Sequence, residues 1–212
     1  MRKLLFAVLL WATPVYASPC DQFFPNGKEV AVSDTTVYCN NFYATVYDIS
    51  HKAALFSTEV FQPHTNKVER TNDFHADDRL QDSPVPSDYN NTGFDRGHLT
   101  PAADAATESQ MHDTFLMTNM TPQEPTVNRV SWRMLEAHVR EMPAKYVVTG
   151  AVYSSTPKTI GAHKVPVPTL YYKIVYLKDG TIKSYTANNI PKALVTEVTL
   201  ADVDKLSGIN FK

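Results

Sequence analysis

The stretch Thr92-Gly93-Phe94-Asp95-Arg96-Gly97-His98-Leu99 constrains this chain more than any other. It sets an acid, a guanidinium and an imidazole around one glycine, a grouping uncommon in a structural turn. Further on, Thr118-Asn119-Met120-Thr121-Pro122-Gln123 leads into Asn128 to Glu136, which adds an amide and a carboxylate on a segment that reads as a helix. A fold that uses both must lay the first segment against that helix.

The length of 212 residues suits one domain with a sizeable core. Hydrophobic residues at 43% and charged residues at 20% fit a soluble globular protein rather than a disordered one. The start stands apart. Arg2 and Lys3 precede an apolar run from Leu4 to Trp11, and Val15-Tyr16-Ala17 follows as a small-x-small cleavage pattern. Residues 1–17 therefore read as a secretory signal peptide cut after Ala17, and 18–212 as the domain. A membrane anchor is the alternative, but the run is shorter than the ~20 residues a span needs. The expected mature protein carries no membrane segment and is periplasmic or secreted. Its formal charge becomes about −4, with 18 basic residues against 22 acidic ones. An acidic protein is not a simple coat for nucleic acid, so any such binding needs a local basic surface.

Cys20 and Cys39 are the only cysteines, and export favours an oxidised pair. Such a loop contributes ~3 kcal/mol in the chain-entropy account. A zinc pair is the weaker reading, because neither has a nearby CxxC partner.

Residues 18–40 read as irregular, with turns at Pro19, Pro25 and Gly27. Phe42–Tyr47 and Ala54–Val60 read as strands, and Gln62–Asn91 as a long surface loop. Ala102–Asp113 reads as a helix, Thr114–Thr118 as a strand, and Val127–Glu141 as a helix that Pro143 stops. In that last helix Trp132, Leu135 and Val139 form an inward stripe, flanked by Arg129, Arg133, Glu136 and Arg140. Tyr146–Gly150 reads as a buried strand, Thr169–Leu177 with Thr181–Ala187 as a hairpin about Lys178-Asp179-Gly180, and Thr199–Leu206 as a closing helix.

Cleaving a phosphodiester at neutral pH requires a base for water, a counter to phosphoryl charge and stabilisation of the departing oxygen. A histidine is the natural base, a hard cation on oxygen ligands meets the second and third needs, and arginines grip phosphate bidentately. His98, Asn128, Arg70, Arg96 and Arg140 offer these parts, although spacing alone does not show that they converge.

Asp95-Arg96-Gly97-His98, then Thr118–Gln123, Asn128, Trp132 and Leu135-Glu136, closely resemble the DNA/RNA non-specific endonucleases. These are ββα-metal nucleases, also called His-Me finger nucleases. The likeness extends through Tyr146–Gly150, Val167–Lys173 and Leu206–Phe211, most of the mature chain. It implies an α+β fold with a mixed, mainly antiparallel sheet and flanking helices. It implies endonucleolytic hydrolysis of DNA and RNA to 5′-phosphate ends, with His98 as general base. Asn128 would be the one direct protein ligand of Mg2+, with Mn2+ as a substitute, and Glu136 would accept hydrogen bonds from the ion's water shell. Arg140 would face the phosphate, while Arg96 and Asp95 flank the base. Asn119 is grouped with substrate binding, in a supporting position rather than on the metal. The upstream phosphate clamp matches loosely: Arg70, or else Arg79.

Four plainer readings compete. His98 could be a merely structural histidine. Asn128 could be only a helix cap. Glu136 and Arg140 could be an ordinary i,i+4 pair worth ~0.3–0.5 kcal/mol. His64, His75, His112, His138 and His163 match no metal-ligand spacing and read as surface or structural. A catalytically silent binding domain on the same scaffold, and a phosphodiesterase for small substrates, are the rival functions.

Overall fold

The computed structural model describes residues 18–62 and 68–212, so the signal-peptide segment and His64 lie outside the described residues. Among the described residues no helix is long and apolar enough to cross a membrane. Strands β1 (Thr35–Cys39), β2 (Tyr43–Asp48) and β3 (Ala53–Val60) come first, followed by the short strand β4 (Asp95–His98). Helix α1 (Glu108–Thr114), strand β5 (Met120–Gln123) and helix α2 (Arg133–Glu141) then lead to β6 (Ala144–Val152). The chain finishes with β7 (Thr159–Ile160), β8 (Val165–Pro166), β9 (Leu170–Leu177), β10 (Ile182–Asn188), β11 (Thr196–Val198) and α3 (Leu200–Ser207).

Seven strands form one antiparallel sheet in the order β1-β2-β3-β6-β9-β10-β11. Strand alternation explains why both faces are covered. Val147 and Val175 point to one face and meet Trp132, Leu135 and Val139 of the helical layer. Their neighbours Val148 and Ile174 point to the other, where they join Phe24, Phe56, Val203 and Phe211 under α3. Each buried aliphatic side chain of this kind contributes roughly 1.5–3 kcal/mol. Helix α3 starts on a reciprocal Thr199–Asp202 capping box and ends at Gly208, whose φ of 70° suits a left-handed cap.

Several expectations are corrected. The 18–40 stretch is not wholly irregular: β1 pairs with β2 and is tied down by the disulfide. The expected 102–113 helix is split, with a 3-10 turn at Ala102–Asp104 and α1 beginning after Thr107, whose side chain caps Gln110 N–H. Thr114–Thr118 is not a strand but the end of α1 running into a second 3-10 turn at Met117–Asn119. Its apolar run lines a core pocket from a helical turn, which a short run of this kind does not distinguish from a strand. The 127–141 helix is present, but Val127–Trp132 is wound as a π-helix before α2 proper.

The Cys20–Cys39 bridge closes a separation of 19 residues and fastens buried Phe23 and Phe24 beneath the sheet. Replacing both cysteines with serine should lower the unfolding free energy by ~3 kcal/mol in urea titrations. An unchanged midpoint would show that the bridge adds nothing to stability.

Candidate active site

The site is built on a two-stranded ribbon and the helix that crosses it. Strands β4 and β5 pair antiparallel, with Asp95 opposite Gln123 and His98 opposite Met120. The glycine of the Asp-Arg-Gly-His run is required by this pairing, since a Cβ on Gly97 would lie 2.6 Å from Cβ of Gln123. Beyond His98, Leu99 N–H donates to the Asn119 carbonyl at 3.0 Å. Thr100 N–H donates to Asn119 Oδ1, and Asn119 Nδ2 donates to the carbonyls of Thr100 and Thr114, all at 2.9 Å. Asn119 thus staples the chain after His98 to the end of α1. It is 0% exposed, so its grouping with substrate binding is corrected: a buried amide committed to the backbone does not reach a substrate.

The His98 ring sits between Phe115 (centroids 5.1 Å apart, nearly perpendicular) and Phe74 (5.8 Å). Its Nε2 is shielded and has no hydrogen-bond partner among the described residues. Burial, helped by the positive Arg70, drives its pKa down to about 3. His98 is therefore a neutral imidazole at pH 7.

Asn128 stands in the π-helical turn. Such turns are rare and recur at functional positions. Capping is done by another residue: Glu124 Oε2 accepts from Val127 N–H at 2.9 Å and Thr126 Oγ1 at 2.5 Å. Asn128 Nδ2 instead donates to Asp95 Oδ2 at 2.9 Å, which leaves its amide oxygen as the group available to the cleft. Asp95 also takes two bonds from Arg129, at 2.7 and 2.5 Å. Burial opposes the Asp95 charge, but the Arg129 and Asn128 hydrogen bonds outweigh it and hold the carboxyl below its usual range. Asp95 locks the ribbon to the helix.

Glu136, one turn into α2, has no hydrogen bond or ion pair among the described residues. Burial, reinforced by nearby Asp104, pushes its carboxyl up to about 7, against the pull of Lys173, Arg140 and Arg70. No ion pair joins it to Arg140 among the described residues; Arg140 binds Asp104 at 3.1 Å. The i,i+4 pair is thus absent.

These groups meet in one cleft of about 430 Å³, lined by His98, Asn128, Glu136 and five arginines, Arg70, Arg96, Arg129, Arg133 and Arg140. Arg129 and Arg140 are neutralised by Asp95 and Asp104. The other three bond neutral oxygens: Arg70 to Asn72 Oδ1, Arg96 to the Pro86 carbonyl and Asn90 Oδ1, and Arg133 to the Arg129 carbonyl. Their charge remains for an anion. Arg70 and Arg96 are further held over the rings of Phe115 and Phe74, at 4.9 and 5.2 Å. Arg79 lies elsewhere, committed to Asp77, Asn40 and the Cys39 carbonyl. Arg133 has the same helical spacing from Arg129 and Glu136 that marked the charged stripe, the signal by which it could have been singled out.

The donor set fits a hard divalent cation. Asn128, with its amide nitrogen committed to Asp95, lines the cleft together with Glu136, whose carboxyl is raised by burial and has no hydrogen-bond donor among the described residues, so a cation would relieve that burial.

Residues 21–212 match the family model described as DNA/RNA non-specific endonuclease. The chain belongs to that family. Nuclease C1 of Cunninghamella echinulata is 35% identical over 62% of this chain and 64% of its own length. Bovine mitochondrial endonuclease G is 30% identical over 80% of this chain and 66% of its own. A nuclease of Nostoc is 32% identical over 84% and 73%. The match therefore spans just under two thirds of the first two relatives. A chain in the crystal structure of the EndoG/EndoGI complex superposes with a TM-score of 0.71, covering 94% of this chain and 92% of that one at 24% identity. The fold is thus the ββα-metal fold, its two strands being β4 and β5 and its helix the segment from Val127 to Glu141.

The lowered His98 pKa carries a stability signature. As pH falls from about 6.5 toward about 3, the unfolded chain takes up a proton on this residue that the folded chain refuses, so the His98 contribution to stability is lost across that window. NMR of the metal-free protein should show no His98 protonation on lowering the pH from neutral to about 5, where an ordinary histidine is already charged. A midpoint near the unperturbed value would mean the aromatic cage does not seal the ring.

Proposed function

We propose that this chain is an exported, magnesium-dependent, sequence-non-specific endonuclease that hydrolyses DNA and RNA phosphodiesters to 5′-phosphate ends. The observation that carries this reading is the single cleft in which His98 shares walls with Asn128, Glu136 and the arginines. The family's description and its relatives' names support it.

In this reading the His98 imidazole accepts the proton of the attacking water, a role open to it because the ring is already neutral. Asn128 and Glu136 would hold the divalent ion, magnesium with manganese as a substitute. Bound there, the ion counters charge on the phosphoryl oxygens and on the departing oxygen. Arg70, Arg96 and Arg133 bring fixed charge from the cleft's lining to phosphate oxygens, and Arg140, paired with Asp104, lines the same cleft. Contacts of this kind position a strand without reading its bases, hence weak sequence preference. Export rests on the leader-like residues 1–17 and on the Cys20–Cys39 disulfide, a bond at home in an oxidising compartment.

Two measurements test this. His98→Ala should slow plasmid hydrolysis by at least ~10²-fold, the scale of general-base catalysis, with the thermal midpoint retained; a near-normal rate would remove His98 from the chemistry. Chelation should silence cleavage and added magnesium restore it, with Asn128→Ala needing much more magnesium than the parent chain. Full activity in excess EDTA would sink the metal-dependent reading, and DNA held but left uncut under all conditions would favour the silent binding domain.

A further inference from the structure

Next to the cleft, a second set of ligand-type side chains comes together that their sequence spacing did not announce. The rings of His75 and His112 stack with centroids 4.2 Å apart and planes inclined by 29°. Asp73 Oδ2 lies 3.9 Å from His112 Nε2. One ligand atom from each of Asp73, His75 and His112 falls within 4.8 Å of the other two.

The tautomer of His75 is set by its neighbour. His75 Nδ1 lies 2.6 Å from the Asp73 carbonyl oxygen. A carbonyl only accepts, so Nδ1 carries the proton and Nε2 carries the lone pair. That Nε2 is buried and has no hydrogen-bond partner among the described residues, an arrangement that costs free energy unless something supplies positive charge there. An imidazole whose far nitrogen donates to a backbone carbonyl is the form in which histidine ligates metals.

We propose that Asp73, His75 and His112 form a binding site for a borderline transition-metal ion, represented by Zn2+, separate from the oxygen-lined cleft. Two imidazoles and one carboxylate select zinc, copper or nickel over magnesium, and the remaining positions go to water. The backbone already holds the two histidine segments together: His75 N–H donates to the Phe115 carbonyl at 3.2 Å, and Met117 N–H to the His75 carbonyl at 2.9 Å. Asp73 and His112 are exposed, so rotation of their side chains can close the set around an ion. His75 and His112 line a surface pocket of about 430 Å³ together with Asp113, Asp78 and Arg79. The Arg79 charge is countered by Asp77 at 2.7 Å. The site also borders the cleft's wall, because Phe74, between two of the ligands, packs against His98 and Arg96.

Zinc titration by calorimetry, in excess magnesium so that the oxygen site is filled, decides the matter without reference to nuclease activity. The parent chain should bind one Zn2+. His75→Ala and His112→Ala should each abolish that binding, Asp73→Asn should weaken it, and Asn128→Ala should leave it intact. The expected ion should also raise the thermal midpoint of the parent chain and not of His112→Ala, whose exposed side chain is dispensable for folding. No zinc binding, or binding that survives both histidine substitutions, overturns the proposal; so does binding that Asn128→Ala removes.

Discussion

The bridge made by Asp95 is the contact on which the geometry of the cleft depends. From the first position of β4 its two oxygens receive Asn128 Nδ2 and both arms of the Arg129 guanidinium. A carboxylate that accepts three charge-assisted or polar bonds from one helical turn fixes both the separation and the rotation of the two elements. Three residues along the same strand lies His98. Locking the ribbon at one end therefore sets where the imidazole stands relative to the Asn128 amide. The same bridge decides which face of that amide turns outward, since its nitrogen is committed to Asp95 and only its oxygen is left for the cleft.

That arrangement also resolves an apparent conflict of charge. The chain is acidic as a whole, with a formal charge of −2, yet the cleft is walled by five arginines. Their positive charge is not uniform. Asp95 and Asp104 neutralise the two arginines that serve as struts, whereas Arg70, Arg96 and Arg133 lean on neutral oxygens and aromatic faces and keep their charge. A field concentrated in a concave, partly dry cleft acts on an anion more strongly than the same charge spread over an exposed surface. Net charge describes the behaviour of the whole molecule and says little about such a pocket.

What could be read from the chain beforehand follows from how local each signal is. The Trp132, Leu135 and Val139 stripe, the Gly180 turn and five of the main sheet's seven strands depend on periodicity and turn chemistry within a few residues, and these are present; β1 and β11, short edge strands, gave no such signal. The placing of His98, Asn128 and Glu136 in one cleft rested on a resemblance, because no spacing rule joins a strand to a helix thirty-odd positions away. The π-helical winding at Val127–Trp132 has no composition of its own and arises from tertiary packing. Asn119 looked like a site residue because asparagines near a histidine suggest chemistry; only its burial and three backbone bonds reveal a staple. The convergence of Asp73, His75 and His112 is likewise a product of the isolated bridge between His75 and Leu116, a contact that local pattern does not encode.

For the base role proposed for His98, its aromatic enclosure poses a question of design. A base whose pKa is held down to about 3 is always deprotonated at neutral pH, but it is also intrinsically weak. Two influences produce the depression, burial between Phe74 and Phe115 and the nearby Arg70 charge, and they respond differently to a bound phosphodiester. Phosphate against Arg70 cancels the repulsion that Arg70 exerts on an imidazolium, and its own negative charge stabilises the protonated ring further. If His98 is the base of the proposed reaction, substrate binding would raise its basicity, while the empty cleft keeps the ring neutral. An unsheltered histidine, charged for part of the time at pH 6 to 7, would lack both properties.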